Sequence, residues 1–114
     1  MSNPNGRKGS LWETTVLKYL RDKGLLAERL AKAGASDEGD LVCFVSGKPY
    51  VLELKNTQRM DLPKFWREAT TEATNYAKAR GLDEAPPAYV IVKRRNAAAG
   101  DGWVVQTLDQ WVQQ

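Results

Sequence analysis

The sequence contains no histidine and only one cysteine, which limits the chemistry available to the chain. Without histidine there is no imidazole to act as a general base or as a zinc ligand. Cys43 lies among apolar neighbours, a setting typical of a buried thiol rather than of a redox or metal site. Any bound metal must therefore be held by oxygen atoms, which favours Mg²⁺, with Mn²⁺ as a substitute.

Long apolar runs are also absent. No segment approaches the roughly 18 apolar residues of a membrane span, so we expect no membrane partner. The first ten residues, MSNPNGRKGS, lack the apolar stretch of a secretory signal, and we do not expect one. With 114 residues, 42% of them hydrophobic and 27% charged, the chain has the size and composition of a single globular domain.

The charge balance is basic, with a net charge of +3 and a pI near 9.1, which suits an anionic partner. Residues 1–9 are polar and glycine-rich and are predicted to form a flexible arm whose charges are Arg7 and Lys8. Such an arm is either a solvated terminus or a contact to a phosphate backbone. The folded domain is predicted to span residues 10–114.

Hydrophobic periodicity and turn residues predict the order α-β-β-α-β-β-α. The predicted α/β fold has a central mixed four-stranded sheet flanked by helices. Residues 25–30 are either a short strand or an irregular run. The predicted helices cover residues 11–23 after an N-cap at Ser10, 62–80 and 108–112, and the strands cover residues 41–45, 50–54, 88–94 and 103–107.

Charged residues occupy unusual positions in the predicted hairpin. Glu53 and Lys55 lie two apart, so both side chains point to one face of their strand. The turn brings Asp40, at the start of the preceding strand, roughly opposite them. Because half-buried charges are unfavourable without compensation, this cluster predicts a bound cation or another strong partner.

Glu13 is a second anomaly, since it falls within the apolar arc of the first predicted helix. An acidic residue in a first helical turn is favoured by the helix dipole, which gives Glu13 a purely structural explanation. A functional explanation is that Glu13 points across the helix–sheet interface towards Asp40 and Glu53.

Basic residues are concentrated near the predicted acidic cluster. A surface that combines cations with a small group of carboxylates is suited to holding a phosphate backbone and a divalent ion. The run after residue 92 could equally be a solvated hairpin tip. The cations concerned are Arg59, Lys64 and Arg67, just past the hairpin, and Lys93, Arg94 and Arg95.

Asp40 followed by Glu53-Leu54-Lys55 resembles the D…ExK core of the PD-(D/E)XK nucleases, with Gly39 in place of the proline. Within that superfamily the chain is most similar to the archaeal-type Holliday junction resolvases, including phage versions. The likeness extends over residues 7–56 and rests on Arg7-Lys8-Gly9, a helix carrying Glu13, Gly24, Arg29, Gly34 and Ser36, and the hairpin. After residue 60 only the order of elements matches.

The resemblance implies a restriction-endonuclease-like core and a metal-dependent endodeoxyribonuclease. Asp40, Glu53 and the Leu54 carbonyl would bind Mg²⁺, with Glu13 completing the site directly or through water, and Lys55 would orient the attacking water or stabilise charge at the phosphate. The resemblance further implies a homodimer that makes paired nicks in branched double-stranded DNA during recombination or repair. Arg29 and Ser36 join the candidate DNA contacts. The expected location is cytoplasmic, or the host cytoplasm for a phage-encoded chain.

Three other functional interpretations of the sequence remain open. A repair or restriction-type nuclease would use the same metal site on other DNA structures. A DNA-binding module without catalysis would keep the basic surface alone. A structural protein with a buried salt-bridge network is the least favoured, because such a network adds little net stability for its desolvation cost.

Overall fold

The computed structural model describes residues 4–31 and 37–114, with the backbone alone for residues 4–8. Within these ranges five strands and three α-helices follow one another, with a short 3₁₀ helix at Ala99–Asp101. In chain order the elements are α1 (Pro4–Asp22), β1 (Leu26–Arg29), β2 (Leu41–Val45), β3 (Lys48–Lys55), α2 (Leu62–Arg80), β4 (Ala88–Val92), β5 (Trp103–Val105) and α3 (Leu108–Val112).

The strands form one mixed sheet in the order β1-β2-β3-β4-β5. All neighbouring pairs are antiparallel except β3 and β4, which are parallel. Parallel neighbours need a long crossover, and α2 supplies it. The residues that follow β3 and β4 therefore emerge at the same end of the sheet.

The two faces of the sheet are covered by different helices. Leu52 and Leu54 of β3 pack in a buried cluster with Trp12 and Val16 of α1. Val51, on the opposite face of the same strand, belongs to a second cluster with the residues of α2, among them Phe65, Ala69 and Ala73. Because side chains alternate along a strand, Glu53 and Lys55 lie on the α2 face with Val51.

Helix α2 agrees with the sequence prediction at both ends. Asp61 caps its N-terminus by accepting a hydrogen bond from the Lys64 amide, and Pro63 lies in the first turn. Gly81 ends the helix in the left-handed conformation, with φ of 66°. Helix α3 is also confirmed, including its cap at Thr107.

The prediction of four strands is wrong, because the undecided run at residues 25–30 forms the edge strand β1. Only Ala27 of this strand is buried. Because a strand with a single buried residue needs no alternation of apolar and polar residues, the sequence has no such pattern there. The predicted N-cap at Ser10 is also wrong. Helix α1 begins at Pro4, a residue type favoured in the first helical turn, and therefore includes the backbone of most of the predicted arm.

Four strand boundaries also differ from the predictions, one of them the end of β3 at Lys55 rather than at residue 54. Strand β3 begins at Lys48 because Ser46 and Gly47, both with positive φ, form a two-residue turn. Strand β4 ends at Val92, before the basic run, and β5 ends at Val105. Among the described parts of the chain, no helix is long and apolar enough to cross a bilayer.

Candidate functional site

Two carboxyl groups meet at the end of the β2–β3 hairpin, as the sequence predicted. The register pairs Leu41 with Leu52, which places Asp40 opposite Glu53. Both residues are buried, with 7% and 5% of their surface exposed, and their side chains are hydrogen-bonded to each other. Asp40 is fixed further by the backbone amide of Leu54, which donates to its Oδ2 over 2.7 Å.

Helix α2 brings two more carboxylates to the same face. Oxygens of Glu53, Glu68 and Glu72 all lie within 4.8 Å of one another. Glu72 is also hydrogen-bonded to Glu53. Four acidic side chains therefore surround this point at the sheet end, counting Asp40.

The position of Glu53 makes its ionised form unfavourable when no cation is present. Burial raises its pKa most, and the hydrogen bonds and charges of Asp40 and Glu72 raise it further, to about 11. A hydrogen bond between two carboxyl groups requires that one of them carry a proton. The chain can thus hold this cluster together with a proton, or exchange the proton for a metal cation.

Lys55 lies next to the acidic cluster on the same face of β3. Its Nζ is 2.9 Å from Oε2 of Glu68 and 5.0 Å from the centre of the Phe65 ring. Burial lowers the pKa of Lys55, but the hydrogen bond to Glu68 and the charges of Glu53, Glu68 and Asp40 outweigh burial, so the net pKa is raised. The ammonium therefore stays charged beside the carboxylates.

Glu68 and Glu72 were not selected by the sequence analysis. Glu72 lies three residues after Ala69 and four before Tyr76, both buried on the apolar face of α2. An acidic residue on the apolar face of a predicted helix was the signal that could have identified Glu72, as it identified Glu13 in the first helix. Whether Glu72 reaches the acidic cluster depends on which face of the sheet α2 covers, and that is a tertiary property.

Glu13 is not part of the group formed by Glu53, Glu68 and Glu72. It lies on α1, which packs on the other face of the sheet, and its Oε2 is 3.9 Å from Arg29 of β1. Arg29 also donates a hydrogen bond to the hydroxyl of Thr14. The structure thus joins Glu13 to Arg29, two residues for which the sequence predicted separate roles.

Most of the predicted DNA contacts that are described lie at the carboxylate end of the sheet. Arg59 follows β3, Lys64 and Arg67 lie in the first turns of α2, and the three cations of residues 93–95 follow β4. Arg29, the last residue of the edge strand β1, lies at this end as well, because it pairs with Leu41 next to Asp40. The side chains of Arg7 and Lys8, and the whole of Ser36, lie outside the described residues.

The residues at this site fit a hard divalent cation. All the converging donors are carboxylate oxygens, the ligand type that Mg²⁺ and Mn²⁺ prefer. A cation would also relieve the repulsion that raises the pKa of Glu53. Asp40, Glu53, Glu68 and Glu72 are therefore the side chains able to hold such an ion.

Comparison with known proteins finds a similarity in structure but not in sequence family. No protein-family model matches the chain, and no curated protein matches it. Among solved structures, the chain is similar to Hjc of Archaeoglobus fulgidus, described as a Holliday junction resolvase from an archaeal hyperthermophile. The identity is 23% and the TM-score 0.52, with 80% of this chain and 68% of the other covered. The two proteins share a fold, a mixed α/β architecture with a central sheet.

Proposed function

We propose that this chain is a Mg²⁺-dependent DNA endonuclease of the PD-(D/E)XK type that hydrolyses phosphodiester bonds in branched DNA. The observation that carries the proposal is the buried, hydrogen-bonded pair of Asp40 and Glu53, with Lys55 on the same face. A buried pair of acids is unfavourable for stability unless a proton or a metal cation neutralises it. The fold that the chain shares with Hjc supports the proposed endonuclease function.

Asp40 and Glu53 would hold the ion together with the Leu54 carbonyl, and Glu68 and Glu72 of α2 are the further carboxylates at this point. Glu13, on the other face of the sheet beside Arg29, would contribute only through water. When bound, the ion lowers the pKa of the attacking water and stabilises negative charge at the phosphate. Lys55 orients that water or stabilises the developing charge. Glu68, at 2.9 Å from Lys55, fixes the ammonium in position.

The DNA backbone would lie across the cations around this end of the sheet. Arg59, Lys64 and Arg67 are exposed on one side, and Arg94 and Arg95 are exposed beyond β4. Phosphate contacts of this kind position a nucleic acid without reading its sequence. The arrangement therefore suits recognition of DNA by shape.

Paired nicks in a four-way junction require two active sites, so we propose a homodimer with twofold symmetry. Its apolar contact would come from side chains that are exposed in the single chain. Five such residues of β5 and α3, here called the C-terminal apolar residues, are Trp103, Val104, Leu108, Trp111 and Val112.

The decisive experiment is incubation of the protein with a synthetic four-way DNA junction, with and without Mg²⁺. We expect Mg²⁺-dependent paired cleavage, and weaker cleavage of linear and flapped DNA of the same sequence. Asp40→Asn and Glu53→Gln should each abolish cleavage but leave junction binding intact in a gel-shift assay. The matched control is Glu28→Gln, an exposed acid of the edge strand β1.

Two results would count against this function. Retained cleavage in Asp40→Asn or Glu53→Gln would remove the assignment of the site. Equal cleavage of linear, flapped and branched DNA would instead favour a repair or restriction-type nuclease with the same metal chemistry.

A further inference from the structure

A polar cavity of about 530 Å³ lies beyond the ends of β3 and β4, next to the carboxylate site. Because these strands are parallel, the segments that follow them meet at one edge of the sheet, where open α/β sheets commonly bind ligands. The volume is within the range of about 300–1,000 Å³ that is typical of ligand pockets. The lining residues are Asn56, Thr57 and Gln58 after β3, and Lys93, Arg95 and Asn96 after β4.

The cavity carries two cations and no acidic lining residue. Within the described parts of the chain, neither Lys93 nor Arg95 has a carboxylate within 4.0 Å. Lys55, by contrast, is paired with Glu68. The two cavity cations are therefore available to an anionic ligand.

The three consecutive cations after β4 do not act as one patch. Arg94, between Lys93 and Arg95, is directed to β5, where its guanidinium lies 4.6 Å from the centre of the Trp103 ring. Asn96 then turns the chain with φ of 57°, a left-handed conformation that asparagine tolerates. This path leaves Lys93, Arg95 and Asn96 on the cavity.

Three amide side chains complete the lining, those of Asn56, Gln58 and Asn96. Each offers both donors and acceptors, which matches the mixed pattern of a nucleobase edge. The loop that carries two of them is fixed by Thr57, whose hydroxyl accepts a hydrogen bond from the Arg59 amide over 3.2 Å. Cations for a phosphate and amides for a base edge thus line one cavity.

We infer that this cavity binds one unpaired nucleotide of the DNA strand, adjacent to the phosphate that is cut, an inference that rests on the proposed function. Asn56 directly follows Lys55, so the cavity begins one residue, about 3.8 Å along the backbone, from the candidate active site. In an intact duplex, the pairing edge of a base is occupied by its partner. The cavity therefore selects DNA in which a nucleotide near the cut is unpaired, as at a branch point.

The test is an NMR titration of the full ¹⁵N-labelled chain in EDTA with three probes: a 5′-phosphorylated deoxydinucleotide, a free deoxynucleoside monophosphate and inorganic phosphate. We expect the dinucleotide to shift the side-chain amide signals of Asn56, Gln58 and Asn96 and to bind most tightly. Tighter binding of the monophosphate would show a site for free nucleotides and would overturn the inference. So would inorganic phosphate binding as tightly as the dinucleotide.

Two variants separate the parts of the cavity. Arg95→Gln should weaken dinucleotide binding about tenfold, as expected for loss of one charge-assisted hydrogen bond. Asn96→Gly keeps the positive φ and should weaken dinucleotide binding but leave phosphate binding unchanged. The control is Lys48→Gln, an exposed lysine at the far end of the hairpin. An equal loss in Lys48→Gln would show unspecific attraction and would overturn the inference.

The outcome is independent of nuclease activity, because binding is measured without metal and on Asp40→Asn as well as on the wild-type chain. If the chain binds the dinucleotide but cuts no DNA, the proposed nuclease function is wrong and the nucleotide site is retained. If the chain cuts DNA with Mg²⁺ but its cavity binds no dinucleotide, the nuclease function is retained and the nucleotide site is wrong.

Discussion

Gly39 shows how the backbone prepares the acidic pair. Its φ of +109° suits glycine, and an added Cβ would lie 2.7 Å from Cγ1 of the buried Val51. Proline, which the D…ExK resemblance leads one to expect at this position, has φ fixed near −65° and could not adopt this backbone. The departure from the nuclease pattern at Gly39 therefore has a structural cause, and this backbone leads directly into Asp40.

Gly39→Ala should lower the free energy of unfolding by more than backbone strain alone. Gly24→Ala is the matched control, because Gly24 has φ of +85° and an added Cβ there would meet nothing within 4 Å. We expect Gly39→Ala to be about 1–3 kcal/mol less stable than Gly24→Ala, since the methyl group overpacks the interior. Equal stability of the two variants in urea unfolding would show that Val51 moves aside freely.

Glu53 should make the metal-free protein sensitive to alkali. Its pKa rises from 4.5 to about 11 on folding, so the folded chain binds a proton more tightly than the unfolded chain. The stabilisation is fully present below pH 4.5 and is lost progressively as the pH rises towards 11. We therefore expect the melting temperature in EDTA to fall between pH 6 and pH 9.

Glu53→Gln should remove most of that pH dependence, because a neutral amide cannot ionise. Glu28→Gln, on the exposed edge strand, should retain it. The measurement is thermal unfolding of the three proteins across this pH range. An unchanged slope in Glu53→Gln would mean that other groups control the alkaline loss of stability.

At the scale of elements, local signals predicted the hairpin and α2. The two predicted strand runs placed Asp40 roughly opposite residues 53–55, and the shorter turn at Ser46-Gly47 in the structure pairs it with Glu53. Asp61 and Gly81 predicted both ends of α2. Strand β1 could not be predicted in the same way, because it is a four-residue edge strand held by pairing with β2.

The composition of the site was only partly accessible from the sequence. Asp40, Glu53 and Lys55 lie on one hairpin, so strand alternation alone relates them. Glu68 and Glu72 reach the same point only because α2 crosses the face of the sheet that carries Glu53. Covering of that face is decided by the fold as a whole, and spacing along α2 does not reveal it.

The contribution of α2 to the proposed metal site can be measured with Glu72→Gln. We expect it to weaken Mg²⁺ binding about tenfold in calorimetry, the lower end of the effect known for residues that support metal ligands. Glu84→Gln, an exposed acid after the helix, is the control. Unchanged Mg²⁺ affinity in Glu72→Gln would exclude Glu72 from the ion-binding group.

At the scale of the whole molecule, the C-terminal apolar residues are the strongest candidates for a dimer contact. Trp111 is 62% exposed and Leu108 is 75% exposed, which is unfavourable for large apolar side chains left in water. Trp111→Lys should shift the chain from dimer to monomer in sedimentation equilibrium, because a charge would be buried at the contact.

The control for the dimer is Leu26→Lys, on the opposite edge of the sheet. It should leave the association state unchanged. A shift to monomer in Leu26→Lys alone would place the contact at β1, and a wild-type monomer that still makes paired nicks would contradict the dimer.

The Ser46-Gly47 turn lies at the opposite end of the hairpin from Asp40 and Glu53. The neighbouring Lys48 is exposed, and the only natural thiol, Cys43, is buried. A Lys48→Cys variant would accordingly accept a fluorophore or a surface tether at one defined point. Molecules anchored there would present their carboxylate end outward, which suits a single-molecule test of the proposed DNA binding.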